Sequence, residues 1–337
     1  MKFKKIIYIS TIALYLSIDC FGQLPIFTQY KQNPLNINPA FTGYFDDDLK
    51  WSALVRSQSY AQLVTSTFYN TSLQIRPYLS FIGANSTMGF GLNAYSNKTL
   101  DVFSHQAFSG SLSYEQGLDA DGTQSISLGF QGRYNTKRID YTQLLFPNQF
   151  DVIGYTSSLP NNEPIQVINN NYFDVNAGIM YQMENDFDAF TIGLGMYNLN
   201  QTNNIKSLNL RKYKQTYNLH LGYSRYTSEN SELFLGGMYS TMGNQNATSL
   251  VVGYRYQPNL YSPLSIELGA INIFNNGVSP YINVNFSKLL ASFTYNIPVN
   301  PKTTYLNNNK SFELGLQFLI SKYNETNSIA RKHMSCF

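Results

Sequence analysis

The chain has 337 residues, of which 15% are aromatic (27 Tyr, 23 Phe, 1 Trp) and only 13% charged, about half the roughly 25% of ordinary soluble domains. A net charge of +3 from 23 basic and 20 acidic residues leaves no electrostatic footprint for nucleic acid. Abundant aromatics with few charges exclude a disordered chain, and two cysteines cannot build a disulfide scaffold.

Lys2, Lys4 and Lys5 precede an apolar run from Ile6 to Ile18, and Gly22 stands before Gln23. This predicts a cleaved signal peptide over residues 1–22, too short to be a spanning helix. Cys20 offers a lipoprotein alternative, although Asp19 stands where such signals carry a small residue. Residues 23–47 are rich in Asn and Pro and have no period.

From residue 48 the period becomes two. Ile126, Leu128, Phe130 and Tyr134 share one face, and Ser125, Ser127, Gln131, Arg133 and Asn135 the other. Leu219 and Leu221 alternate with Asn218 and His220, and Phe293 with Ser292 and Thr294. Side chains alternate across a strand, so each segment carries one apolar and one polar face. The pattern predicts strands at 48–59, 65–77, 86–98, 102–117, 123–138, 172–184, 188–199, 213–227, 231–242, 247–258, 264–275, 278–287, 289–298 and 310–321. Asp121-Gly122, Gly243-Asn244 and Asn276-Gly277 are tight-turn signals between them. Most of these strands exceed the roughly 9–11 residues that cross a bilayer. The predicted fold is therefore all-β: a transmembrane antiparallel β-barrel of about 14 strands over residues 48–321. The Asn/Pro-rich segment 23–47 precedes it and a polar tail, 322–337, follows. A soluble β-sandwich would alternate similarly. Strand length, low charge and aromatics near strand ends (Tyr78, Phe81, Tyr254, Tyr256, Tyr281) favour the barrel, with Ile126, Leu128, Phe130, Leu219, Leu221 and Phe293 toward lipid.

Two connections break the hairpin rhythm. Residues 139–171 contain Pro147, Pro160, Pro164 and a run of Asn; residues 200–212 contain Lys206, Arg211 and Lys212. Either is an ordinary solvated loop or a partner contact. Phe146, Phe150, Tyr155, Asn169, Asn170, Asn171 and Tyr172 are the candidate contacts, since aromatic and amide side chains suit interfaces.

No catalytic chemistry is evident. His105, His220 and His333 are far apart in sequence, and no Cys/His pair has metal-ligand spacing. Gly89-Phe90-Gly91 and Gly193-Leu194-Gly195 lie inside strand patterns, where glycine relieves curvature or adjoins an aromatic. Asp46-Asp47-Asp48 lacks the glycine of a calcium loop. The expectation is no enzyme, no cofactor and no metal, with His220 hydrogen-bonded inside the barrel.

Phe27, Thr28, Gln29, Tyr30, Asn33-Pro34, Asn38-Pro39-Ala40 and Gly43 together resemble the opening of the PorP/SprF family of the Bacteroidetes type IX secretion and gliding system. The likeness continues at Arg56-Ser57-Gln58, at Phe173 to Gly178 and at Tyr295 to Pro298. Family members tend to carry Trp after the Arg-x-Gln element, where this chain has Ser59-Tyr60. The resemblance implies an outer-membrane barrel, exported with a signal peptide. It implies a partner too: a secreted surface protein, typically an adhesin with a type B C-terminal domain, and in some members the secretion components themselves.

The residues alone leave the Asn-Pro segment several roles. Proline fixes its own φ and pushes the preceding residue out of the helical region, so the segment is rigid without being a strand. It can plug the lumen, pack under the barrel, bind a periplasmic partner, or seal the inner end as a lead-in. The lumen is expected to be filled by this segment, by the 139–171 loop or by a partner's chain. The alternative is a porin or transporter for small or hydrophobic molecules.

Overall fold

A computed structural model describes residues 27–45, 47–60, 64–77, 85–140, 144, 146–151, 154–155, 167–201, 214–243, 245–259, 262–274, 276–299 and 310–320. The expected signal peptide, Asp46, His333, Tyr78, Phe81 and the expected tail over 322–337 lie outside the described residues.

Strands follow one another as the period-two pattern requires. They are β1 (Leu49–Tyr60), β2 (Val64–Ile75), β3 (Ser86–Thr99), β4 (Phe103–Gly117) and β5 (Gln124–Asp140), then β6 (Phe150–Asp151) and β7 (Gly154–Tyr155). After these come β8 (Val167–Glu184), β9 (Asp188–Tyr197), β10 (Thr216–Ser228), β11 (Ser231–Met242), β12 (Gln245–Tyr256), β13 (Leu264–Ile273), β14 (Gly277–Phe286), β15 (Leu289–Pro298) and β16 (Lys310–Ile320). All but β6 and β7 form a closed barrel in which neighbours pair antiparallel. Pairing of β5 with β8 bridges the long connection, and β1 with β16, from Leu49↔Ile320 to Ser59↔Lys310, closes the cylinder. Fourteen strands in an antiparallel ring leave no edge, which is the condition for backbone in lipid. Among the described residues no helix is long and apolar enough to cross a membrane.

The outward face is apolar and exposed: Leu128, Phe130, Leu219, Leu221, Phe293 and Leu314 all present their side chains outside the cylinder. Such a surface is stable only against hydrocarbon. The inward face buries Ser125, Ser127, Gln131, Asn218, His220, Ser292 and Thr294. Gly122 (φ 67°) and Gly243 (φ 64°) make tight turns with positive φ, a region that glycine enters without steric cost.

Two expectations are corrected. Tyr281 is not an interface residue: it is buried in the lumen and its hydroxyl donates to Glu267 Oε1 at 2.7 Å. Tyr254 and Tyr256 are exposed outside, as an aromatic girdle requires. Second, Asn169, Asn170 and Asn171 are not loop residues, and the strand expected from Tyr172 starts before them. With Tyr172 they belong to β8, paired with Arg138, Lys137, Thr136 and Asn135 of β5. The β5–β8 ribbon is the longest in the barrel, and its outward side chains change from Phe130 and Phe173 to Thr136, Arg138, Asn169 and Asn171. The ribbon thus continues past the apolar band into water, where Asn is no longer costly in a strand.

The barrel starts at β1 and finishes at β16 on one rim. Connections 141–166, 198–215 and 299–309 all leave from the other. Long loops mark the extracellular end of an outer-membrane barrel and the termini its periplasmic end; these are called outer and inner below.

Candidate functional site

The Asn-Pro segment lies inside the lumen. Three 3-10 turns, Tyr30–Gln32, Pro34–Asn36 and Pro39–Phe41, carry the chain from the outer half of the barrel to its inner rim. Two of them begin on proline, whose fixed φ favours the first position of a turn and whose missing N–H leaves no orphan donor. Tyr30, Leu35, Ile37, Ala40 and Phe41 are almost wholly buried. Burying Leu35, Ile37 and Phe41 contributes about 1.5–3 kcal/mol each relative to exposure.

What seats this segment is a row of small residues running across the sheet. Cross-strand pairing aligns Gly89, Ser113, Gly129, Gly178, Gly195, Asn218 and Ser240 on β3, β4, β5, β8, β9, β10 and β11. The chain from Ile37 to Gly43 lies along that row. A Cβ at Gly89 would strike the Thr42 carbonyl, at Gly129 the Pro39–Ala40 peptide, at Gly178 the Asn38 amide and at Gly195 the Ile37 carbonyl. Gly89 and Gly195 thus serve close backbone approach rather than curvature, whereas Gly193 adjoins the His220 ring, as the second of the two expected roles has it. Gly43 itself has φ 70° and would place a Cβ 2.6 Å from Gly89 Cα.

Hydrogen bonds fix the register of plug on wall. Asn38 Oδ1 caps the last turn by accepting from Ala40 N at 2.9 Å. Its Nδ2 donates to the Ile179 carbonyl and faces His220 Nε2, both at 3.0 Å. With the amide oriented by Ala40, Nε2 of His220 is the acceptor and the ring proton sits on Nδ1. Phe41 packs on the same imidazole, ring centroids 4.8 Å apart. Asn218 Nδ2 donates to Ile37 O at 3.0 Å, and Tyr197 OH to Leu35 O at 2.9 Å. Asn33 Oδ1 accepts from both Asn36 and Asn70 at 2.8 Å. Thr42 Oγ1 meets Ser111 Oγ at 2.9 Å, and Gly43 N donates to Gln74 Oε1 at 3.1 Å. The leading end is held by charge: Thr28 N and Gln29 N donate to the two Glu313 oxygens at 2.6 and 2.8 Å. Arg56 lies behind this carboxylate, with Nε at 3.6 Å. Lys31 sits over the Phe234 ring at 3.6 Å and reaches Glu267 at 3.5 Å.

The structure therefore brings Phe27, Gln29, Tyr30, Asn33, Pro34, Asn38, Pro39, Ala40 and Gly43 into one luminal body. The second candidate group is not brought together. Phe146 precedes a short 3-10 turn, Pro147–Gln149, and Phe150 pairs with Tyr155 in the two-residue ladder of β6 and β7. Asn169 and Asn171 face outward, while Asn170 is buried inside and Tyr172 lines the lumen.

Outward of the plug lies a cavity of about 440 Å³. Phe27, Tyr30, Asn33 and Asn36 form its floor, and its wall includes Asn97, His105, Arg133, Asn135, Lys137, Tyr172, Asp174, Tyr197 and Lys214. Arg133 Nε meets Asp174 at 3.3 Å, and Asn135 Nδ2 donates to the same oxygen at 3.1 Å. Arg133 also lies 5.1 Å from the Tyr197 ring centre and Lys137 5.5 Å from that of Tyr172. His105 contacts Asn135 Oδ1 at 3.0 Å. Sequence reasoning named none of these as a group, because they come from separate strands. The polar luminal face of each strand was the only signal.

Fold and site define an outer-membrane β-barrel whose lumen holds its own N-terminal segment. The chain belongs to the PorP/SprF family of type IX secretion system membrane proteins, whose sequence profile matches residues 20–318. Among proteins of curated function none matches this sequence. In solved structures the barrel is similar to the toluene transporter TbuX of Ralstonia pickettii, with a TM-score of 0.53 at 9% identity over 86% of this chain and 94% of that one. It is also similar to the toluene transporter TodX of Pseudomonas putida, with a TM-score of 0.50 at 8% identity over 84% and 91%. At such identities the likeness is one of fold.

Proposed function

We propose that this protein is a non-enzymatic outer-membrane scaffold of the type IX secretion system, binding and anchoring a secreted surface protein at its outer rim. The carrying observation is the plug: residues 27–45 fill the inner half of the lumen and are hydrogen-bonded to strands around the barrel. A segment lying across the lumen opposes free passage of small solutes, while the closed barrel holds the outer end of the β5–β8 ribbon in register. Such a preorganised rim loses little entropy on binding. Tyr and Asn at the β5–β8 ribbon provide contact area with hydrogen-bonding tips. Family membership supplies the secretion context. A surface adhesin with a type B C-terminal domain is the partner this reading expects, and gliding is one process it would serve.

The test is affinity purification of the detergent-solubilised barrel from its native cell, followed by mass spectrometry. Co-purification of one large secreted protein, lost when 145–166 is shortened, supports the anchor. Recovery of the barrel alone, with normal surface display of every adhesin in a deletion strain, rejects it. A channel for hydrocarbons, as in the proteins of similar fold, requires uptake that depends on this barrel and a bound apolar ligand.

A further inference from the structure

We propose that the outer cavity is a docking pocket for carboxylates carried on an extended polypeptide, an acidic segment of the surface protein. This inference rests on the anchor reading and names the chemistry of its contact.

Charge comes first. Among the described lining residues Arg133, Lys137 and Lys214 face one carboxylate, Asp174, and that carboxylate is held by Arg133 and Asn135. The lining is therefore net cationic, and an arriving anion meets donors from several strands. Spacing comes second. Arg133 and Lys137 lie on the same face of β5, four residues apart, or about 14 Å at roughly 3.4 Å per residue. That is the Cα spacing, a length that about four residues of extended chain also span. The rest of the lining suits a peptide: Asn97 presents a side-chain amide, and Phe103 and Tyr172 offer flat apolar walls. A volume of about 440 Å³ lies within the roughly 300–1,000 Å³ of ordinary ligand sites. Position is the last argument. Lys137 and Tyr172 sit on the part of the β5–β8 ribbon that extends past the apolar band, so the pocket belongs to the extracellular half of the protein.

The experiment uses the purified full-length barrel in detergent and a fluorescent hexapeptide alternating Glu and Gly. Its Gln-for-Glu counterpart and free glutamate serve as comparison probes. The Glu peptide should bind and weaken as salt is raised, and the Gln counterpart should not bind. Lys137→Gln combined with Lys214→Gln should lower affinity by about tenfold or more, while Lys137→Arg should keep it. Heat-modifiable gel mobility confirms that each variant is folded. Equal affinity in wild type and the double Gln variant overturns the site, as does binding of the Gln peptide as tight as that of the Glu peptide. Displacement by free glutamate at the same concentration as by the hexapeptide overturns the polypeptide assignment. If the Glu peptide fails to bind but the surface protein still co-purifies from cells, the anchor reading stands and this inference falls. If nothing co-purifies, the anchor reading itself falls.

Discussion

The two halves of the lumen are built on opposite plans. In the inner half, where the chain from Ile37 to Gly43 crosses β3 to β11, the wall is a row of Gly, Ser and Asn, so that a backbone can lie directly against a sheet. In the outer half the wall mixes Arg, Lys, His, Tyr and Asn with Phe103, Met238 and Met242, whose long side chains leave a cavity. One strand does both jobs: β5 places Gly129 against Pro39 and, eight residues on, Lys137 at the cavity. Small residues make a seat and large polar ones make a pocket, and the change takes two or three side chains along a strand.

The sharpest way to break the inner half is Gly129→Leu. The new side chain occupies the space of the Pro39–Ala40 peptide, so the segment leaves the wall. Losing the burial of Leu35, Ile37 and Phe41 then costs about 5 kcal/mol or more. Urea titration followed by heat-modifiable mobility should show that loss, and Thr42→Cys in the same background should become reactive to a soluble maleimide. Gly110→Leu is the control, since a Cβ there meets only the Leu92 side chain at 4.0 Å. An equal effect at both positions would contradict the seat.

A charge separates the faces next. Leu128→Arg puts a cation among lipid tails and should cost about 2–4 kcal/mol. Asn97→Arg, on the cavity wall, should cost under about 1 kcal/mol because the side chain can reach solvent through the outer half. Arg at Ser127 should behave like neither, since Ser127 is buried among plug-contacting residues. The same unfolding assay ranks the three.

Asn38→Ala sharpens the comparison further. It removes the cap on Ala40 and the donors to Ile179 and His220, for a loss of about 1–3 kcal/mol. Asn38→Asp keeps the cap but sets a carboxylate against two acceptors, and should be no better than Ala. The smallest effect lies outside the lumen. Asp119, in the turn before β5, accepts from the Thr123 hydroxyl and from Gln124 N, which holds its carboxyl below the ordinary value. A carboxyl depressed in the folded state contributes stability above its unfolded pKa and loses it as pH falls through the folded one. Asp119→Asn should therefore lower neutral stability slightly, leave stability at acid pH unchanged, and so flatten the decline below about pH 4.

Much of this architecture was legible in the sequence. Fourteen runs of alternating polarity located the barrel strands to within a few residues, because a strand in lipid must separate its faces completely. The Asn-Pro segment stood out by its prolines and its lack of period. Less visible were features that need two distant parts of the chain at once. Gly89, Gly91 and Gly195 look like weak strand residues until Leu35, Ile37 and Thr42 are laid on them. Tyr281 has the composition of a girdle residue, and only its parity within β14 puts it inside. Asn169 to Asn171 read as loop because Asn is a poor strand former, yet above the bilayer the ladder to β5 carries them. The cavity draws on strands from β3 to β11, and no local pattern could assemble it.

Everything turns on whether residues 27–45 close the lumen in the membrane. Conductance of the purified wild-type barrel in planar bilayers measures this directly. A seated plug predicts no large, steady current, and transitions only when the segment is dislodged, as in Gly129→Leu. A large, steady conductance from the unaltered protein would contradict it.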